Sequence, residues 1–255
     1  GNIQKSLNRI LVLSDAAHSI GAFYKGKRTG SLADITVFSF HAVKNLTTAE
    51  GGAICLNLPE PFDNAALYGE LNIKSLHGQN KDALAKTKIG QWRYDIIEPG
   101  YKCNMTDIQA SMGLAELQRY DEDMLVKRRH IFSLYNDLLS EQPWAELPEY
   151  ENDDKKSSYH VYLLRIRDIT EKQRDQIIEE IFRREVAVNV HFVPLPMMSF
   201  YGQSGYKMEN YPVAYDNYSR EITLPVYYDL TDEMVKTVVE AVTGSVNMIR
   251  KPVAG

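Results

Sequence analysis

The sequence predicts an α/β protein: a mainly parallel sheet with its helices over residues 1–142, followed by a smaller α+β domain over residues 143–255. Two observations carry this. Short apolar runs without alternation, at residues 10–13, 36–40 and 53–56, mark strands buried on both faces, the habit of parallel sheets. From Thr106 onward apolar residues recur at helical spacing, and strands then alternate with capped helices.

Taken in order, residues 2–9 read as the end of a helix, and the chain enters its first strand directly after it. A parallel sheet needs several strands joined by helical crossovers, so the chain is expected to be truncated at its N-terminus. Segments rich in Gly and polar residues separate the first three strands. Thr106 with Gln109 makes a capping-box pattern, and Met105, Ile108, Met112 and Ala115 recur at helical spacing. A second helix, over residues 121–140, carries Met124, Ile131, Leu134, Tyr135 and Leu138 on one stripe. Its basic cluster, Lys127, Arg128 and Arg129, reads as a solvated face. Residues 149–158 are polar and read as an exposed loop. Then come a strand over 159–166 and a helix capped by Thr170 with Gln173, bearing Ile177, Ile178, Ile181 and Phe182. A strand over 186–193 follows, and a last helix capped by Thr231 carries Met234, Val235, Val238, Val239 and Val242.

With 44% hydrophobic and 25% charged residues, the composition is that of an ordinary globular protein and excludes disorder. A net charge of −5 excludes a nucleic-acid footprint, which needs a clustered basic excess. No apolar run approaches the ~20 residues that span a bilayer, and no signal peptide is recognisable, so neither nucleic acid nor membrane is expected as a partner. The two cysteines, Cys55 and Cys103, lie far apart without CxxC or Cys/His spacing. That fits free thiols in a reducing cytosol and predicts no metal site.

Three motifs near the start of the chain carry chemistry. Asp15-Ala16-Ala17-His18 stands at the carboxyl end of the first apolar run, where open α/β sheets place their ligands. Ser39-Phe40-His41-Ala42-Val43-Lys44-Asn45 follows the second run, and Glu50-Gly51-Gly52 leads into the third. In order and spacing these resemble the DegT/DnrJ/EryC1/StrS aminotransferase family, whose pattern is an Asp-Ala-Ala strand end, Ser-Phe-x-x-x-Lys, and Glu-Gly-Gly. Residues 41–50 and Gly100-Tyr101-Lys102 resemble most its UDP-4-amino-4-deoxy-L-arabinose aminotransferase-like branch.

The resemblance implies a partial fold type I large domain and pyridoxal 5′-phosphate (PLP) as cofactor. Lys44 is then the Schiff-base lysine, which holds the cofactor and afterwards shuttles a proton. Asp15 pairs with the pyridine nitrogen and keeps it protonated, which makes the ring an electron sink. Ser39 binds the phosphate through its hydroxyl, and His18 lies beside the phenolic oxygen. Lys25-Gly26-Lys27 with Gly30-Ser31-Leu32 looks like a family turn, and Leu76-His77-Gly78 like a step near the substrate. The Gly100 to Asp107 loop matches one that reaches the cofactor phosphate of a partner subunit. Lys102 and Asn104 stand there in place of the family's usual Asn and Arg. His191-Phe192-Val193-Pro194 resembles the His-x-x-Pro step of the small domain, which puts His191, with His77, at the substrate.

The implied activity is transfer of an amino group from glutamate to a keto carbon of a nucleotide-linked sugar. The implied setting is a cytoplasmic homodimer serving cell-surface polysaccharide or lipopolysaccharide biosynthesis. Lys44 argues against the family's dehydratases, which carry histidine at that place. A second hypothesis is a non-catalytic remnant or split-gene product, because the family's N-terminal phosphate-binding helix has no equivalent in this sequence and the chain keeps only part of the cofactor's contacts. A nicotinamide enzyme is excluded because no GxGxxG follows the first strand.

Overall fold

The structure, a computed structural model, describes residues 1–80 and 92–250. It divides into two compact units: residues 1–121 with 153–158, and residues 122–152 with those from 159 on. The expected division at 142 differs from this one by the helix that precedes it, and the reason lies in that helix's buried face, described below.

The first unit opens on helix α1 (Asn2–Leu7) and strand β1 (Leu13–Asp15). A hairpin, β2 (Phe23–Tyr24) and β3 (Lys27–Arg28), turns through Lys25 and Gly26, both with positive φ (48° and 74°), the geometry that matches strand twist. Strands β4 (Ile35–Ser39) and β5 (Gly52–Leu56) follow, then helices α2 (Asn64–Ser75) and α3 (Asp107–Arg119). The main sheet has the order β1-β4-β5. β1 pairs parallel with β4, with Asp15 opposite Val37, and β5 returns antiparallel, from Ile35 opposite Leu56 to Ser39 opposite Gly52. The expectation of a mainly parallel sheet is therefore met by one of its two pairs. Residues 40–51 contain no helix, and a parallel return needs a crossover, usually a helical one.

The strands are also less buried than their apolar runs predict. Thr36 and Phe38 of β4 are buried, but Ile10, Val12 and Leu13 are 77%, 51% and 62% exposed, and Val37 and Ile54 face solvent as well. Among the described residues β1 has one hydrogen-bonded neighbour, β4, and its apolar run is covered on that side alone. Asp34 ties this edge in place. Its carboxylate accepts from the Arg9 guanidinium (2.6 and 2.5 Å) and from the Val12 backbone N–H (2.9 Å).

The second unit begins in a π-helical turn (Tyr120–Met124) that runs into α4 (Leu125–Leu139). An antiparallel sheet of order β6-β8-β9 follows, made of β6 (Ala145–Glu146), β8 (Tyr162–Ile166) and β9 (Glu221–Leu224). Helices α5 (Glu171–Arg183), α6 (Ser199–Gln203), α7 (Pro212–Arg220) and α8 (Asp232–Arg250) complete it. Ile131, Phe132, Tyr135 and Leu139 of α4 join Leu164, Ile166, Ile177, Ile181, Ile222, Val235, Val242 and Val246 in one core. This shared burial is why α4 belongs to the second unit.

Several local expectations hold. Thr106 and Thr170 each form a complete capping box, with Gln109 and with Gln173, and the Thr231 hydroxyl accepts from the Met234 N–H. Others do not. Residues 149–158 are not wholly an exposed loop: β7 (Lys155–Lys156) pairs antiparallel with β2, and Ser158 is buried. Residues 186–193 form no strand beyond a single bridge from Asn189 to Thr223, whereas β9, wholly buried, is the strand that pairs with β8. The basic cluster on α4 is not a solvated face throughout. Arg128 is buried, and its guanidinium donates to the carbonyls of Tyr159, His160 and Val226. Five N–H donors in a fixed fork can satisfy several carbonyls at once, which offsets the cost of burying the charge.

Candidate active site

The parallel pairing of β1 with β4 brings two of the predicted residues to one edge of the sheet. Asp15 is the last residue of β1 and Ser39 the last of β4, so both stand where the strands end at their carboxyl side. The Asp15 carboxylate accepts the Ala17 backbone N–H at 3.0 Å, a local turn that steers the chain towards His18. The loop after β4 then carries Lys44 back, and its Nζ lies 2.6 Å from His18 Nε2. Ser39 Oγ accepts the His41 N–H at 3.4 Å, which curls the same loop. The amine of Lys44 and the imidazole of His18 thus meet, and the carboxylate of Asp15 and the hydroxyl of Ser39 stand at the ends of the two paired strands that lead into their loops.

What holds Lys44 in place is its neighbour. Asn45 is buried, and its amide donates to the Ser158 carbonyl (2.6 Å) and to the Tyr120 hydroxyl (3.3 Å). Tyr120 in turn donates to the Ile20 carbonyl (2.8 Å), and the Ser158 hydroxyl donates to the His18 carbonyl (2.5 Å). The loops that carry Lys44 and His18 are therefore pinned through a common set of partners. The glycines of Glu50-Gly51-Gly52 close the loop from the other side. A Cβ at Gly51 would lie 2.4 Å from Thr48 Oγ1, and one at Gly52 would lie 2.5 Å from the Phe38 carbonyl oxygen.

A second group forms at the end of α2. His77 and Gly78 have positive φ (59° and 73°), and the Gly78 N–H closes the helix on the Ile73 carbonyl. The His77 N–H donates to the Tyr101 carbonyl (2.7 Å), and Leu76 bridges to Lys102. Lys102 donates to the Asn104 side chain. His77, Lys102 and Asn104 are thus gathered on one exposed backbone junction.

His191 lies in the second unit. It lines a cleft of about 440 Å³ with Phe192, Glu149, Arg165, Asn217 and Tyr218. Its Nδ1 is 2.8 Å from Thr223 Oγ1, and its backbone N–H donates to Glu221 Oε2 (2.9 Å). The Thr223 hydroxyl donates to Glu221 Oε1 (2.5 Å). Burial pushes the Glu221 carboxyl up to about 7, against the pull of the Thr223 and His191 hydrogen bonds and the Arg174 charge.

The sequence pattern of the DegT/DnrJ/EryC1/StrS aminotransferase family matches residues 5–243. The chain belongs to that family. It is 35% identical over 239 residues to the spore coat polysaccharide biosynthesis protein SpsC of Bacillus subtilis, covering 91% of this chain and 59% of that one. It is 30% identical to the UDP-4-amino-4,6-dideoxy-N-acetyl-beta-L-altrosamine transaminase of Campylobacter jejuni, over all of this chain and 63% of the relative. Among solved structures, a Streptococcus pneumoniae protein described as a sugar aminotransferase superposes in its PMP form with a TM-score of 0.91. That match is at 42% identity and covers 98% of this chain and 62% of the other. The PLP form of the same protein gives a TM-score of 0.89. The fold is thus that of the PLP-dependent fold type I sugar aminotransferases, and the chain spans about three fifths of the length of the curated relatives it matches.

Against the DegT family's pattern, the first cluster fits PLP in the chemistry of its donors. An amine can bind the aldehyde carbon, a carboxylate can hold a protonated pyridine nitrogen, and a hydroxyl can donate to phosphate. Asn45, Ser158 and Tyr120 are the residues to which sequence reasoning gave no role. Asn45 stands inside the quoted motif, but its partners lie 113 and 75 residues away, and no local signal connects them.

Proposed function

We propose that the protein is a PLP-dependent sugar aminotransferase. In this reading it moves an amino group from glutamate to the keto carbon of a nucleotide-linked sugar, in cell-surface polysaccharide or lipopolysaccharide biosynthesis, as a cytoplasmic homodimer. The observation that carries the reading is the 2.6 Å contact between Lys44 Nζ and His18 Nε2 at the carboxyl edge of the β1-β4 pair. A UDP-sugar transaminase among the relatives supports the substrate class.

PLP, when bound, supplies an electron sink for the carbon whose proton is moved. Lys44 supplies the amine that carries that proton, general acid–base work for one positioned group. His18 Nε2, in hydrogen-bonding range of that amine, orients it and shares its proton. Asp15 keeps a proton on the ring nitrogen, and Ser39 donates its hydroxyl to the phosphate. Asn45 fixes the loop that bears Lys44, so the amine stays within reach of the reacting carbon. His77, Lys102 and Asn104 serve the substrate or the phosphate of a paired subunit, and His191 serves the sugar.

The test is to add PLP, reduce with borohydride and map the labelled peptide, then assay glutamate-dependent amination of a UDP-4-keto sugar. The pyridoxyl label is expected on Lys44 and is lost in Lys44→Ala, with the circular dichroism unchanged. A label on another lysine overturns the assignment. Labelling of Lys44 without turnover favours a non-catalytic relative instead.

A further inference from the structure

Glu221 and Thr223 lie two residues apart on β9, so their side chains share one face of the sheet, and both are buried. With Glu221 ionised, as it is at pH 9, the hydrogen atoms that pass between it, Thr223 and His191 Nδ1 can be counted. A threonine hydroxyl has one hydrogen to give, and that of Thr223 goes to Glu221 Oε1 at 2.5 Å. The other carboxylate oxygen, Oε2, is taken by the His191 backbone N–H at 2.9 Å. Thr223 Oγ1 therefore presents only lone pairs to His191 Nδ1, 2.8 Å away. A hydrogen bond across that distance needs a hydrogen from the ring, so Nδ1 must carry it.

We propose that Glu221 and Thr223 are positioning residues that hold neutral His191 as the Nδ1–H tautomer, so that its Nε2 offers a lone pair to a hydroxyl of the sugar substrate. The last clause rests on the proposed function; the tautomer does not. Free neutral histidine prefers the other tautomer, so the arrangement on β9 reverses the ring's own tendency. The consequence is chemical: a hydroxyl-bearing ligand that reaches Nε2 meets an acceptor there, not a second donor.

The same count predicts what Glu221→Gln does. The His191 backbone N–H can only donate, so it keeps the oxygen of the new amide. The amide nitrogen then faces Thr223 and donates to Oγ1. The Thr223 hydrogen is released to His191 Nδ1, and the ring hydrogen must move to Nε2. A substitution that leaves the side chain's shape almost unchanged therefore inverts the tautomer.

The experiment is long-range ¹H–¹⁵N correlation of the histidine rings in the uniformly labelled full chain at pH 9, with His191 assigned by the signal lost in His191→Gln. The wild-type protein is expected to show the protonated-type nitrogen at Nδ1. Glu221→Gln should move it to Nε2, Thr223→Val should abolish the Nδ1 preference, and Thr223→Ser should retain it. A wild-type ring protonated at Nε2, or a Glu221→Gln ring still protonated at Nδ1, overturns the proposal. The wild-type spectrum alone decides the tautomer if either variant fails to fold. For the ligand clause, a UDP-4-keto-6-deoxyhexose should bind about fivefold more weakly to Glu221→Gln, the worth of one neutral hydrogen bond. Equal affinity removes that clause. Loss of binding by the unaltered chain counts against the proposed function and leaves the spectroscopic result intact.

Discussion

In the second unit, α4, α5, α8 and the β6-β8-β9 sheet converge on one contiguous core in which Tyr162, Leu164, Ile177, Ile181 and Val242 are wholly inaccessible. Among the described residues of the first unit the buried apolar ones are Ala16, Ala33, Phe38, Leu46, Leu58 and Tyr120, and none of them joins that core. There Ile10, Val12 and Leu13 lie in the open. The first unit nonetheless holds the cluster around Lys44, and it does so with turns and hydrogen bonds through Asn45, Ser158 and Tyr120. Packing sets the shape of one unit, and directed polar contacts set the geometry of the other.

The largest test of this contrast is truncation. Leu164→Ala in β8 removes a side chain with no exposure and leaves a cavity, which should cost about 3–4 kcal/mol of unfolding free energy. Ile10→Ala, at 77% exposure, should cost no more than about 0.5 kcal/mol. Urea denaturation measures both. Comparable losses would mean that the first unit has a core of its own at that edge.

A pair of carboxyls sharpens the comparison by sign. Glu221, in the second unit, is pushed from 4.5 up to about 7, chiefly by burial. A raised carboxyl contributes stability that is fully present below its unfolded value and is lost as pH rises through the folded one. Between pH 4.5 and 7 that contribution should fall by at most roughly 3 kcal/mol, and Glu221→Gln should flatten this slope. Asp34, in the first unit, runs the other way: the Arg9 hydrogen bond and the Val12 N–H lower it from 3.8 to about 2. Its contribution is present above 3.8 and lost as pH falls towards 2. Stability profiles from pH 2 to 8, for wild type, Glu221→Gln and Asp34→Asn, separate the two. A profile of Glu221→Gln parallel to wild type between pH 4.5 and 7 would contradict the first assignment.

The smallest effect compares like with like. Thr106→Ala and Thr170→Ala each remove the hydroxyl from a complete capping box, one in each unit, and each should cost about 1 kcal/mol. Native-state hydrogen exchange should report the first loss in the amides of α3 and the second in those of α5. If Thr170→Ala lowered protection in α3 to the same extent, the two units would be unfolding as one.

Much of the candidate site was legible because its signals are short. Asp15 and Ser39 stand at strand ends, Lys44 follows five residues after Ser39, and both capping boxes close within four residues, so each can be read in a window of one loop or one turn. The same locality explains where the reading stopped. An apolar run reports that a strand wants burial, not which neighbour supplies it, and among the described residues β1 pairs with β4 alone. A cluster of basic residues reports charge, not that Arg128 will find three carbonyls to satisfy.

The sequence by itself determined the family, the order of the cofactor motifs, the helix starts and the apolar stripe of α8. Only the tertiary structure decided that Lys44 meets His18 across 26 residues, that Asn45 is anchored by Ser158, and that His191 meets Glu221 and Thr223 of β9. The physical reason is range. Propensity, capping and periodicity are written in neighbours a turn apart, whereas a hydrogen bond between distant residues exists only once packing has excluded water and fixed which donor faces which acceptor.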